Sequence, residues 1–441
     1  MIELEPNRFI ATTLYNGQFP GPLIRLQEGR PVIIDVYNDT DVPEQLHWHG
    51  QHLPVDVDGS AEEGTPFIPA HGHRRLAFMP GPAGVRWYHT HTFAGPDLRA
   101  GQYGGQVGPV YIEPRSNPGD YDQELFLVLK EFGPFLTRVR DEESDFLLPG
   151  DTDRGLETVG EAAREAARVA GSPNGFEVEY DHFTINGKVL SGGDPIRVKA
   201  NERVLLHVIN ASATEIRSLA LPGHVFHVVA LDGNPVPVSA DVGVLWMAPG
   251  ERVSALVQMS HPGKWIMGDV GEARFSGMGV VVEYAGAMGA PEWIEPNSAT
   301  WNYAWFGRRA SDTLPPDETV DMVITEEHAA AGGFNRWLIN GTAFSMSDMR
   351  PAFSLRRGRR YRLRMRNATD DIHPIHLHRH TFELTRIAGQ PTQGILKDVA
   401  MLGPYQEMDV DFTAESPGLS LFHCHMQIHM DYGFMSLFDC R

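Results

Sequence analysis

The sequence predicts an all-β protein built of three sandwich domains, and two recurrent segments carry that expectation. The first reads LQEGRPVIIDVYNDTD from Leu26 to Asp41, VKANERVLLHVINASA from Val198 to Ala213, and LRRGRRYRLRMRNATD from Leu355 to Asp370. Each copy has a turn, an apolar strand with partial alternation and a closing Asn. The second recurs in step: PAGVRWYHTH from Pro82, PGKWIMGD from Pro262 and PGLSLFHCH from Pro417. Short strands between frequent Gly and Pro turns favour sandwiches, and self-similarity at this spacing sets the domain count.

Taken in order, a first domain over 1–115 ends near Ile112, where EPRSNPGDYD reads as a linker. A second occupies 116–285. The stretch AGAMGAPEWIEPNSATWNYAWFG reads as a long connection opening the third region, 286–441. One segment departs from the β pattern. LETVGEAAREAARVA, near 156–170, is rich in Ala, Glu and Arg and predicts a helical insertion in the second domain.

Composition sets outer limits. The chain has 441 residues, 42% of them hydrophobic, enough for several cores. Its formal charge of -20, from 57 acidic and 37 basic side chains, argues against a nucleic-acid partner. Cys424 and Cys440 are the two cysteines. Apolar runs are short, so no transmembrane span is expected. The opening MIELE lacks the basic and apolar regions of a signal peptide.

The chemistry concentrates in paired histidines. HCHMQIH runs from His423 to His429. On a strand, His423 and His425 face one side and Cys424 the other, so one short segment can serve two metal centres. Further pairs are His47/His49, His89/His91 and His376/His378, with His373 just before the last. A structural zinc needs about four ligands; these pairs, with His429 and Cys424, offer enough for several metals. A thiolate with imidazoles favours a soft or borderline metal such as copper. The middle copy of the second segment carries no histidine.

HWHG, WYHTH, HPIHLH and HCHMQIH, in that order, resemble the multicopper oxidases, particularly the three-domain bacterial laccase-like group. The resemblance covers nearly the whole chain. It implies three cupredoxin-like Greek-key sandwiches and four copper ions: one type 1, one type 2 and two type 3. Carried over by position, His373, Cys424 and His429 would bind type 1. His47 and His376 would bind type 2. His49, His89 and His425 would hold one type 3 ion, and His91, His378 and His423 the other. Phe434 occupies the family's axial position ten residues beyond the cysteine. It cannot coordinate, which should raise the type 1 potential. Met435 should turn away by strand alternation.

Asp58 matches an acid of the family near type 2, suited to orienting a water or imidazole and carrying protons. Gln427 and Met430 stand where relatives often have a second acid. Asp370, Asp371 and Asp431 are the possible substitutes. Arg379 stands where relatives often have Gly, and is expected to play a structural role rather than to brace an acidic group or narrow a passage; His380 beside it is not expected to ligate. His207, His224, His227, Asp232 and Gly233 are expected to be structural, while His71 and His73 flank a turn. The aromatic WNYAWFG segment, residues 301–307, is expected to seal a domain interface rather than line a pocket.

The implied function is oxidation of phenols and aromatic amines, coupled to four-electron reduction of O2 to water. Donors would dock near an exposed edge of His373 or His429. Electrons would pass from type 1 through Cys424 and its flanking histidines. The alternatives are oxidation of Cu(I), Fe(II) or Mn(II), and a noncatalytic protein retaining the fold. The absence of a long Met-rich insert weakens the cuprous reading. The resemblance implies a periplasmic or secreted location.

Overall fold

The computed structural model describes residues 1–115, 120–138, 175–296, 300–309 and 314–441. The helix expected near 156–170 lies outside the described residues. Within them, strands form three pairs of sheets of matching plan and a separate two-stranded sheet, Ile2–Glu5 with Arg8–Ile10.

The first recurrent segment explains the plan. Its opening residues close a short strand, Ile24–Gln27, Ile196–Val198 or Phe353–Leu355 in the three copies. Each pairs in parallel with the last strand of its own sheet: Val107–Glu113, Gly279–Tyr284 and Met435–Cys440. The chain then turns into the facing sheet as Val32–Tyr37, Arg203–Asn210 and Arg360–Asn367. In RYRLRMRN, Tyr361, Leu363 and Met365 point into the core while the arginines alternate outward. Arg362 and Arg364 meet Asp411 and Asp321 there, at 2.7 and 2.6 Å.

The closing Asn has the same task three times. Asn38, Asn210 and Asn367 each accept from the N–H two residues on, at 3.0, 3.0 and 2.9 Å. Their side-chain amides donate to a nearby carbonyl (Val42, Glu215 or Asp371) and to one from another loop (Ile68, Met247 or Gly403). The side chain thus satisfies backbone groups where the ladder ends.

The second recurrent segment lies central in each of the other sheets. Gly84–Thr90 sits between Val107–Glu113 and Leu46–His49. Lys264–Gly268 sits between Gly279–Tyr284 and Arg217–Ala220. Gly418–Cys424 sits between Met435–Cys440 and His373–Leu377. In the first copy His47 pairs with His89, and in the last His376 pairs with His423. Register therefore fixes where the imidazoles emerge.

The facing sheets differ in size. The middle and last copies have six strands each, and the first copy two. One apolar core runs through the middle and last copies, and Trp301, Tyr303 and Phe306 of the connection are buried in it. A separate core, including Leu46, Trp48, Val110 and Ile112, fills the first copy.

Replacing the fully buried Asn210 with Ala removes three hydrogen bonds. The expected loss is about 3 kcal/mol, read as a lower urea midpoint with an unchanged slope.

Candidate metal centres

Eight imidazoles, from Leu46–His49 and Gly84–His91 on one side and His373–His378 and the 423–425 segment on the other, meet in a buried chamber. Three groups of ligand atoms lie within 4.8 Å of one another: His47/His49/His376, His49/His89/His425 and His91/His378/His423. In most rings one nitrogen donates to a fixed oxygen and the other is left for a metal. His47 Nδ1 donates to the Asp58 carbonyl at 2.9 Å, His376 Nδ1 to the Asp398 carbonyl at 2.7 Å, and His89 Nδ1 to the Thr90 carbonyl at 2.8 Å. His423 Nδ1 donates to the carbonyl of Cys424 at 2.7 Å. His378 Nδ1 meets Asp58 Oδ2 and His49 Nε2 meets Asp398 Oδ1, both at 3.0 Å.

The remaining nitrogens test whether metals fit. His47 Nε2, His89 Nε2, both nitrogens of His91, His376 Nε2 and His425 Nδ1 are buried without a hydrogen-bond partner. His378 Nε2 and His423 Nε2 face each other at 3.0 Å, as do His49 Nδ1 and His425 Nε2 at 3.2 Å. Neutral imidazole nitrogens so arranged repel unless something accepts their lone pairs. The donor set therefore fits copper.

The strand Gly418–Cys424 ends at the cysteine, and the N–H of His425 is anchored on Pro374 O at 2.7 Å. Cys424 faces the opposite way from His423 and His425. Its Sγ lies 3.8 Å from His373 Nδ1 and 3.4 Å from His429 Nδ1, and those nitrogens are 3.1 Å apart. His373 Nε2 is held by Thr369 Oγ1 at 2.8 Å, which turns Nδ1 toward the sulfur. Phe434 closes this group, its ring 4.8 Å from that of His373. Met435 packs instead with Leu421, Met430 and Leu437. Burial pushes the Cys424 thiol well above its ordinary range, so binding a metal there must expel a proton.

Neither imidazole of this group presents an exposed edge, contrary to the expectation for donor docking. Trp337 stacks over His429 with ring centres 4.0 Å apart. Its indole N–H donates to Asp371 Oδ2 at 3.3 Å, and that oxygen lies 3.9 Å from His429 Nε2. Sequence reasoning missed Trp337, because a Trp on an apolar strand reads as core. Glu326 stands near Asp370 and Asp371. Burial, then the charge of Asp371, pushes it up to about 10.

Carboxylates line the chamber instead. Asp58 Oδ2 reaches both His47 Nδ1, at 3.1 Å, and His378 Nδ1. Glu63 Oε1 lies 3.5 Å from His378 Nδ1, and Glu62 Oε2 lies 3.7 Å from His91 Nδ1. Burial, reinforced by Asp58, holds Glu63 well above the usual carboxylate range. Sequence reasoning missed Glu62 and Glu63, although DGSAEEG places them four and five residues after Asp58. Of the proposed second acids, Asp371 belongs to the cysteine group. Asp431 accepts from Gln427 Nε2 at 2.8 Å and from the N–H groups of Ala94 and Gly95, just beyond His91. Burial pushes it up to about 7.

Arg379 braces the backbone rather than an acid. It donates to the carbonyls of Leu53, Leu419 and Pro417. Its φ of 62° is the left-handed conformation that favours Gly. His380 Nδ1 donates to the His378 carbonyl. His207 meets Ser254 and Glu124, His224 meets Tyr284, and His227 meets Asp241. His71 pairs with the exposed Asp41, and His73 stacks on Tyr37.

Three family models described as multicopper oxidase match residues 3–117, 157–277 and 289–441. The chain belongs to the multicopper oxidases, oxidoreductases that carry one type 1, one type 2 and two type 3 coppers. It is 27% identical to the multicopper oxidase MmcO of Mycobacterium tuberculosis, over 98% of this chain and 83% of that one. It is 25% identical to Laccase-7 of Oryza sativa subsp. japonica, over 96% and 86%. The crystal structure of a multi-copper oxidase from Pseudomonas thermotolerans superposes with a TM-score of 0.71 at 25% identity, covering 100% and 96%. Among the described residues, no helix is long and apolar enough to cross a membrane.

Burial, then mutual repulsion, holds His49, His89, His376, His378, His423 and His425 well below the ordinary imidazole range. Burial alone takes His429 to about 3. Below about pH 6.5 the unfolded chain takes up protons that the folded chain refuses. Stability must therefore fall with falling pH, by about 1.4 kcal/mol per pH unit for each such histidine once it is fully protonated in the unfolded chain. Copper-stripped protein is expected to show a markedly lower Tm at pH 5 than at pH 7 by calorimetry.

Proposed function

We propose that this oxidase is laccase-like, taking single electrons from phenols and aromatic amines and delivering them to O2. One observation carries the reading. A thiol–imidazole group and an eight-imidazole chamber lie back to back, joined by the covalent backbone of residues 423–425. On this reading His373, Cys424 and His429 hold type 1, and His47 and His376 hold type 2. His49, His89 and His425 hold one type 3 ion, and His91, His378 and His423 the other. When bound, copper supplies one-electron transfer and the reduction of O2.

The chain's own residues set the conditions. Four donors each lose an electron and a proton, and one O2 takes up four of each to give two waters. The Cys424 carbonyl accepts from His423, so a hydrogen bond supplements the covalent route between the two centres. Asp58 fixes the Nδ1 tautomers of His47 and His378. Glu63, whose carboxyl burial pushes well above the usual range, is suited to holding a proton beside His378. Asp431, tied to Gln427, offers a second carboxyl near the loop after His91. Phe434 brings no donor atom to His373, which supports a high potential at type 1. With Trp337 buried over His429, the partly exposed Asp371 is the group a donor meets, and its carboxylate can accept the donor's O–H or N–H.

Glu326, Asp370 and Asp371 near His429 favour a second reading, in which the donor is Cu(I), Fe(II) or Mn(II). A noncatalytic role is opposed by the unpartnered chamber nitrogens. A periplasmic or secreted location follows from the family resemblance and is part of the same proposal.

Metal analysis is expected to find four coppers per chain, and Cys424→Ser to lose one together with the thiolate charge-transfer band. O2 consumption with phenols, aromatic amines and each metal ion, measured in parallel, decides the donor. Faster turnover of phenols supports the first reading; efficient metal turnover with poor phenol turnover replaces it with the second. Phe434→Met is expected to lower the type 1 midpoint potential in a redox titration and slow oxidation of the donors hardest to oxidise.

A further inference from the structure

The middle copy contributes no histidine to the chamber, yet it reaches the chamber through one side chain. Asp398 is the single residue between the strands Gln390–Lys397 and Val399–Leu402, which belong to different sheets. Its Oδ1 meets His49 Nε2 at 3.0 Å, and its carbonyl accepts from His376 Nδ1 at 2.7 Å. Those two rings come from the first and last copies and stack 3.9 Å apart at 9°. One residue thus orients two imidazoles from different domains.

Asp398 is in turn gripped from the middle copy. Arg252 NH1 donates to Oδ1 at 2.6 Å and NH2 to Oδ2 at 2.7 Å, a bidentate fork. The guanidinium is fixed by the carbonyls of Gly250 and Asp232, at 2.9 and 3.1 Å. Asp232 Oδ2 accepts from the N–H groups of Asp398 and Val399, at 3.2 and 3.1 Å. Lys397 Nζ bridges Asp232 and Glu251, at 3.0 and 2.9 Å. Arg86, from the first copy, donates to the Asp232 carbonyl and approaches Asp398 Oδ2 at 3.4 Å. Three cations (Arg86, Arg252, Lys397) thus meet three anions (Asp232, Glu251, Asp398), all of them buried.

Two glycines show how closely this grip sits against the chamber. A Cβ on Gly50, directly after His49, would lie 2.6 Å from Arg252 NH2 and 2.8 Å from Asp398 Oδ2. A Cβ on Gly250 would lie 2.9 Å from the His425 ring. HWHG therefore ends in Gly because the Arg252–Asp398 pair occupies the space a side chain needs.

We propose that Arg252 is a positioning residue of the trinuclear centre. Through its fork on Asp398 the middle domain sets the orientation of His49 and His376, and with it the geometry and affinity of the type 3 and type 2 ions they respectively hold. This rests on the ligand assignment proposed above. An ion pair that served only to join domains would not need to end on a carboxylate bonded to a chamber imidazole. Removing such an outer partner commonly costs about 10–100-fold in metal affinity or activity.

The test uses the full copper-loaded chain and the variants Arg252→Lys, Asp398→Asn and Tyr303→Phe. Lysine keeps the charge but cannot form the fork. Tyr303 donates to Glu251 at the far end of the same network, and its oxygen accepts from the N–H of Met401. Arg252→Lys and Asp398→Asn are expected to keep the type 1 charge-transfer band, change the type 2 EPR hyperfine splitting, and lose chamber copper to a competing chelator at about 10–100-fold lower concentration. Tyr303→Phe is expected to lower Tm while leaving type 2 EPR unchanged. If Arg252→Lys does not fold, Asp398→Asn decides. Native EPR and chelator resistance in the folded variants overturn the proposal, as does an equal EPR change in Tyr303→Phe. Fewer than four coppers in the unsubstituted chain would instead sink the ligand assignment itself.

Discussion

Six imidazole nitrogens buried without a partner set the terms for the rest of this structure. They belong to His47, His89, His91, His376 and His425. An unsatisfied buried polar group costs about 1–3 kcal/mol, so the set costs as much as the whole stability of an ordinary domain. Such an arrangement persists only if much else holds it open. The surrounding carbonyls and carboxylates do that work by taking one nitrogen of most rings. The donor set is thus preorganised for metal, and copper binding satisfies these nitrogens and adds stability by mass action.

Much of this was legible because it is local. The second recurrent segment already shows which strands are equivalent, and period-two alternation puts Cys424 opposite His423. The closing Asn38, Asn210 and Asn367 mark where each strand meets its first loop. What stayed hidden lies in contacts distant in sequence. Asp398 is 349 residues from His49 and 146 from Arg252, and neither Asp398 nor Arg252 lies in a motif. Trp337 was hidden for another reason: a buried Trp on a strand has the same sequence signature whether it covers a core or an imidazole. Asp370 and Asp371 looked equivalent to Asp431 as acids, and only the fold separates them, one pair to the thiol side and the other residue to the loop after His91.

The two centres need opposite surroundings, and the strand Gly418–Cys424 separates them. On the cysteine side Phe434, Ile375 and Met426 are buried and apolar, which suits a site that changes charge with little reorganisation. On the histidine side Asp58, Glu62 and Glu63 stand within 4 Å of imidazole nitrogens, which suits a reaction that consumes protons. A single strand can divide these environments because alternate side chains leave it in opposite directions. The division also constrains substitution. A carboxylate in place of Phe434 would be a buried charge against the cysteine group, whereas Asp371 stands at its partly exposed outer side, and an apolar residue at Asp58 would leave two Nδ1–H groups with weaker acceptors.

The middle domain then has a physical reason to be there. A chamber formed between two domains is only as rigid as their docking, and its imidazoles must hold their positions to within a fraction of an ångström. Apolar contact alone resists sliding weakly, because one surface of methyl groups packs much like another. A bidentate guanidinium–carboxylate pair is directional, and when buried it is costly to break by one partner alone. Placing Arg252 in the middle domain, Asp398 in the last and His49 in the first ties all three to one register. The second recurrent segment of the middle copy carries no histidine, and the middle copy reaches the chamber wall instead through the loop between Met247 and Arg252, which delivers the guanidinium.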